Sequence, residues 1–140
     1  MSRSRQDLVR IDLPAETDHL RLVRLVVAGL ATGLGADVDD LEDLRIATGE
    51  LCAHLMDRSV PDDRLEVEVE TTETSGAGPS VRLIANLRDT TDVDVLDELA
   101  EVVLGTTTDQ CGLGTAPWAE RSTPGASGWF ERAVRASSDA

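Results

Sequence analysis

Lysine and tyrosine are absent from this 140-residue chain, so its 13 cations are all arginine, set against 27 Asp and Glu. The resulting formal net charge of -14 argues against a nucleic-acid interface, which needs clustered cations to displace phosphate counterions. An acidic surface does suit a partner with a basic face, although such charge equally serves solubility. No apolar run approaches the roughly 20 residues that span a bilayer, and "MSRSRQDLVR" lacks a secretory hydrophobic stretch. The expectation is a cytoplasmic protein that meets neither membrane nor nucleic acid. Cys52 and Cys111 are the only cysteines, too few for a disulfide scaffold or a cysteine zinc site. Aromatic residues number only three, Trp118, Trp129 and Phe130, so the core must be built from Leu, Val, Ala and a few Ile. The length suits one domain, residues 1–140.

What is present is patterning. "DLVRIDLP" alternates with period two and stops at Pro14, which predicts a first strand at a sheet edge. Leu20, Val23, Val27, Leu30 and Leu34 then recur at helical spacing and end among glycines. "ADVDDLEDLRIATGELCAHLMDR" opens with acids suited to a helix N-terminus and sets Val38, Leu41, Leu44, Thr48, Leu51 and Leu55 on one stripe. "RLEVEVETTE" and "VRLIANLRD", joined by the turn "SGAGPS", read as a hairpin with Leu65, Val67 and Val69 inward. A third helix is predicted over "DVDVLDELAEVVLG", a short helix near Pro117, a last strand in "ASGWFERAVRA" and a frayed tail "SSDA". The order β-α-α-β-β-α-(α)-β implies an α+β two-layer sandwich, a mixed, mostly antiparallel sheet with helices on one face.

Chemistry concentrates in "GELCAHLM". Glu50 and His54 are i and i+4, so they share a side of the second helix, where they form either a general-base pair or a surface contact. Cys52 lies about 200° around the helix from Glu50 and reads as core. Cys111, ahead of "GLG", is a candidate redox thiol in a loop. Gly112 to Gly114 permits a tight turn where backbone N–H groups meet a phosphate, or a plain loop. Asp89 closes a strand, a place for either a ligand-binding carboxylate or a turn former.

Taken in order, these features resemble one family: the anti-sigma-factor serine kinases of the Bergerat-fold (GHKL, histidine-kinase-like) ATPases, in their actinobacterial form. The resemblance is strongest from "LPAETDHLRLVRLVVAGLATGLG" through "DVDDLEDLRIATGELCAHL". In that family the second helix carries Glu-x-x-x-Asn, the Glu as general base toward a target serine and the Asn as ligand to the magnesium of ATP. The resemblance therefore implies Glu50 as the catalytic base and puts His54 at the magnesium position. Magnesium prefers hard oxygen ligands, so the exchange weakens an ATP and Mg site. The Asp-x-Gly-x-Gly motif, whose Asp holds adenine, becomes Asp89-Thr90-Thr91-Asp92-Val93, with both glycines lost. The later Gly-x-Gly that cradles phosphate matches Gly112 and Gly114, with "TAPWAER" as the following helix.

What the resemblance implies is an anti-sigma factor that sequesters an alternative sigma factor and is released by an anti-anti-sigma (STAS-type) protein, in stress response or a similar cassette. Arg21 and Arg24 of the first helix are its candidate partner contacts, and a homodimer is expected, with Leu8 to Leu13 at a possible contact edge. The alternatives are an active Mg-ATP-dependent serine/threonine kinase acting on the anti-anti-sigma protein, and a scaffold that retains neither role.

Overall fold

The alternating N-terminal segment forms β1 (Arg5–Pro14), and its alternation continues in register across β2 (Arg64–Thr74) and β3 (Gly78–Leu87). Two further strands, β4 (Gln110–Leu113) and β5 (Ser127–Ala133), complete a sheet of order β1-β2-β3-β5-β4 in which every pairing is antiparallel. The computed structural model describes residues 5–74, 78–91, 95–122 and 125–135. Three helices, α1 (Leu20–Gly33), α2 (Val38–Met56) and α3 (Glu98–Thr107), lie side by side on one face, with α2 in the middle. The α+β sandwich read from the element order is the observed fold, and the described sheet is antiparallel throughout rather than mixed.

The core sits between the layers. Leu65, Val67, Val69, Val81, Leu83, Leu87 and Phe130 point inward and are essentially inaccessible, against Val23, Val27 and Ala31 of α1 and Leu44, Leu51, Cys52 and Leu55 of α2. Burial pushes the Cys52 thiol up to about 12, which makes it an inert core residue. The expected stripe of α2 holds from Leu44 onward, whereas Val38, at the helix start, is 80% exposed.

The other face of the sheet is charged. Arg10 sits directly opposite Glu68 and bonds it at 2.9 Å; Arg82 sits opposite Glu131 and bonds it at 2.8 Å. Asp12 faces Glu66 in register, a like-charge pair that would destabilise the ladder, but Arg88 reaches both, at 2.9 and 3.3 Å, and Arg64 adds a second bond to Asp12 at 2.7 Å. Such exposed pairs contribute little stability each. They do oppose slippage, because a one-residue shift would turn all of them into the core.

Three contacts seat α2. At its start, Asp37 and Asp40 form a reciprocal capping box, the Asp40 N–H donating to Asp37 at 2.8 Å. Asp40 also accepts from buried Arg132 of β5 at 3.0 Å, and Asp43 takes the same guanidinium at 3.1 Å. Midway, Leu51 lies on Gly128, where an added Cβ would come within 2.6 Å of its methyl. Only glycine lets helix and strand approach this closely.

Several expectations shift. The short helix near Pro117 does not form among the described residues, where turns lead from β4 toward β5. Trp118 instead stands edge-on to Trp129 at 5.4 Å between ring centres, with the Arg82 guanidinium 5.1 Å over its ring. Cys111 is on β4 and half-buried, not in a loop. The third helix begins at Glu98 and runs past Gly105 to Thr107. The turn at residues 75–77, residues 92–94 at the start of that helix's expected span, and the tail lie outside the described residues.

Arg132→Met strands the buried Asp40 carboxylate and is expected to cost about 3 kcal/mol or more in a denaturant titration. Adding Asp40→Leu removes the stranded charge and should recover more than half of that loss.

Candidate functional site

The antiparallel order brings one end of the sheet together from three strands: the C-terminal ends of β3 and β4 and the start of β5. The last turns of α2 lie over this end, and α3 begins beside them. Glu50, His54, Asp89 and Gly114 therefore gather at one end of the molecule, with Gly112 two residues further back along β4.

Helical spacing alone leaves His54 on the flank of α2, but α3 docks against α2 and covers it. The imidazole is 2% exposed, with Nδ1 3.9 Å from Asp97 and Nε2 buried without a partner. Arg58, one turn on, approaches Nδ1 at 3.3 Å and donates to the His54 carbonyl at 2.9 Å. Burial, reinforced by the Arg58 charge, lowers the His54 pKa below its ordinary value, against the opposing pull of Asp97, Asp57 and Glu50. His54 is thus a neutral, enclosed imidazole at neutral pH. The Arg58 guanidinium lies beside His54, the residue that the resemblance puts at the magnesium position, and its charge opposes a divalent cation there. Glu50, one turn earlier, remains half-exposed.

A helix N-terminus attracts anions, and the one facing His54 is occupied by the chain itself. Asp97 caps α3, accepting from the Ala100 N–H at 2.7 Å. Its carboxylate opposes a triphosphate at the same place.

Asp89 is exposed at the end of β3, and the backbone around it is tied down by a neighbour that the sequence pattern did not single out. Buried Asp63 accepts from the Thr90 hydroxyl at 2.6 Å, from the Asp89 N–H at 2.8 Å and from the Arg64 N–H at 2.8 Å. Thr90 Oγ1 in turn accepts from the Val60 N–H at 2.9 Å, joining the loop after α2 to β3. Gly125, at φ 85°, brings its Cα against the Leu87 and Thr90 carbonyls, and the Ala126 N–H donates to Thr90 at 2.7 Å. Asp89 and Thr90, the start of the segment that the resemblance aligns with the adenine loop, are thus held by hydrogen bonds within the protein.

The glycines are likewise engaged. Gly112 is in β4, opposite Trp129, whose ring would come within 2.9 Å of an added Cβ. Gly114, at φ 87°, donates its N–H to the Ser127 carbonyl at 2.8 Å and accepts from the Ser127 hydroxyl at 2.9 Å. No helix follows them among the described residues. Gly112 thus admits an indole and Gly114 makes a strand-end turn, and the helix expected after them is absent from the described residues. Taken together, the residues present do not suit Mg-ATP.

Arg21 and Arg24 are elsewhere, on a groove between α1 and α2 of about 520 Å³, lined also by Leu25, Ala28, Val38 and Leu41. Its acid, Glu42, is already bonded to Arg45 at 2.6 Å. Arg24 lies across α2 at Gly49, where a Cβ would come 2.2 Å from its guanidinium, and its Nε is buried without a partner. Among the described residues neither Arg21 nor Arg24 makes an ion pair. A chain of net charge -14 thus carries an apolar groove with uncompensated cations.

Burial pushes the Asp63 carboxyl up, but the bonds from Thr90 and from the backbone of Asp89, Arg64 and Thr90 outweigh it and hold it below the ordinary 3.8. A depressed folded-state pKa gives stability that is complete above the unfolded value and lost as pH falls through the folded one. Asp63→Asn should cost about 1–2 kcal/mol at pH 7. In urea titrations the gap to the parent chain should narrow as pH drops below about 4.

No protein-family model matches the chain. The serine-protein kinase RsbW of Bacillus velezensis is 35% identical over 57 residues, 41% of this chain and 36% of that protein. RsbW of Bacillus thuringiensis is 29% identical over 65 residues, 46% of this chain and 41% of that protein. The match thus spans about two fifths of the length of these relatives. Among solved structures, the RsbU and RsbW domains of a Mycobacterium tuberculosis protein superpose with a TM-score of 0.65 at 16% identity, covering 91% of this chain and 32% of the other. No helix among the described residues is long and apolar enough to cross a membrane. The chain is thus similar in sequence, over part of its length, to RsbW serine-protein kinases, and it shares its fold with the matched region of the Mycobacterium tuberculosis protein.

Proposed function

We propose that the chain is an anti-sigma regulatory factor that binds and withholds an alternative sigma factor without Mg-ATP and is released by an anti-anti-sigma protein of the STAS type. The observation that carries this reading is the α1–α2 groove. Arg21 and Arg24 line this groove without an ion pair among the described residues, so an incoming carboxylate meets guanidinium groups that no acid of the chain has taken, and charge-assisted hydrogen bonds are the strong ones. The surrounding Leu25, Val38 and Leu41 supply the apolar contact that anchors an interface. Release then follows from competition for the groove or from a change in its shape. A homodimer joined at the open edge of β1 accompanies this reading, because a ten-residue edge strand is a ready pairing surface.

The competing reading is an active kinase with Glu50 as general base. Retention of Glu50 and Asp89 and the names of the relatives favour it. Burial of His54, the Arg58 guanidinium beside it and the engaged glycines count against it, because phosphoryl transfer depends on metal and positioning.

Calorimetric titration of the full chain with Mg-ATP is expected to give no saturable heat at millimolar nucleotide. Saturable heat, together with phosphate transfer to an anti-anti-sigma serine that Glu50→Ala abolishes, would move the assignment to kinase. In nucleotide-free buffer, Arg24→Ala should weaken sigma-factor binding about tenfold or more, roughly 1.4 kcal/mol. Gly49→Ala, which displaces the Arg24 guanidinium while keeping the residue, should weaken it in the same direction without loss of stability. Sedimentation of the full chain should report twice the monomer mass.

A further inference from the structure

A second exposed apolar surface lies on α3, away from the groove. Leu99 and Val102 are 69% and 59% exposed, and Val95, just ahead of the helix, is 83% exposed. The helix is anchored by its other side, through Ala100, Leu104 and Thr107. Leu99 and Val102, three residues apart, share one side of α3, and with Asp97 and Glu98 they border a shallow concavity of about 560 Å³. Asp97, Glu98 and Glu101 are the acids that α3 and its cap contribute, and Arg58, just past the end of α2, is engaged by His54.

We propose that α3 docks a basic, amphipathic helix of a partner protein. An apolar stripe edged by acids on one side is the complement of a helix with leucine-type residues on one face and Lys or Arg beside them. A strand-forming partner is disfavoured because the backbone of α3 is committed to its own hydrogen bonds, leaving no edge to extend. An anionic membrane surface is repelled by the three carboxylates. A second copy docked by this same face would set Asp97, Glu98 and Glu101 against their own counterparts and is opposed by that local repulsion. The α1–α2 groove has the opposite sign and lies beyond α2, so the two faces select partners of opposite charge. This inference stands independently of the sigma-factor reading.

The test uses the full chain and two fluorescein-labelled peptides of identical Leu/Lys composition. One has all leucines on a single helical face, and the other has them spread around the helix. The amphipathic peptide should bind at least tenfold tighter than the permuted one. Leu99→Ser/Val102→Ser should remove that advantage, and Glu98→Gln/Glu101→Gln should flatten the salt dependence of binding. Both leucine-stripe substitutions are at exposed positions, and circular dichroism checks that the helices persist. Equal binding of the two peptides to the unmodified chain would overturn the proposal whatever the variants do. So would unchanged affinity in a folded Ser variant, or self-association that the same variant abolishes, which would give the face to a second copy. Arg24→Ala should leave peptide binding unaltered, which keeps failure of this inference distinct from failure of the sigma-factor reading.

Discussion

Everything at the functional end of this molecule depends on how tightly α2 is held to the sheet. The helix is fixed at its start by the Arg132 guanidinium between Asp40 and Asp43, in its middle by Leu51 over Gly128, and beyond its end by Asp63 and Thr90. The first contact is a buried ion pair, whose value lies less in net stability than in the cost of breaking it. The second needs the absence of a side chain. The third joins the loop after α2 to the end of β3 through one carboxylate that accepts three bonds. Together they leave α2 no freedom to slide along the sheet.

That seating has opposite consequences on the two sides of α2. Toward α3 it closes: His54 is enclosed, Asp97 takes the helix N-terminus, and the Asp89 segment is bonded to Asp63 and Ala126. Toward α1 it opens, because Gly49 allows Arg24 to lie across the helix without a counter-ion. Catalysis of phosphoryl transfer needs a cavity, a metal and free backbone donors; binding a protein needs a fixed surface with anchors. The α1–α2 groove, with Arg21 and Arg24 beside Leu25 and Leu41, supports the proposed binding role.

Much of the fold was legible in the sequence, because period-two and period-3.6 patterns report which face is buried. The strands at Leu65 to Val69 and Val81 to Leu87, and the helices at Val23 to Ala31 and Leu44 to Leu55, follow directly from them. The helix expected after Pro117 failed for a tertiary reason: Trp118 is held on the charged face of the sheet by Trp129 and Arg82, and local propensity yields to that contact. The packing role of Gly112 was not readable either, since a glycine that admits an indole and one that cradles a phosphate look alike in a sequence.

The site was legible only in part. Helical spacing placed Glu50 and His54 on one side of α2, but the burial of His54 is set by α3, more than 40 residues away in sequence. Asp63 was unreadable because its partners Asp89 and Thr90 lie 26 and 27 residues distant. Where the proposed partner meets the chain is tested most directly by hydrogen exchange of the full chain with and without a candidate alternative sigma factor, in nucleotide-free buffer. Added protection across α1 and the first turns of α2, with residues 54–60 and 89–91 unchanged, is the result predicted. Protection confined to residues 54–60 and 89–91 and requiring Mg-ATP would contradict it.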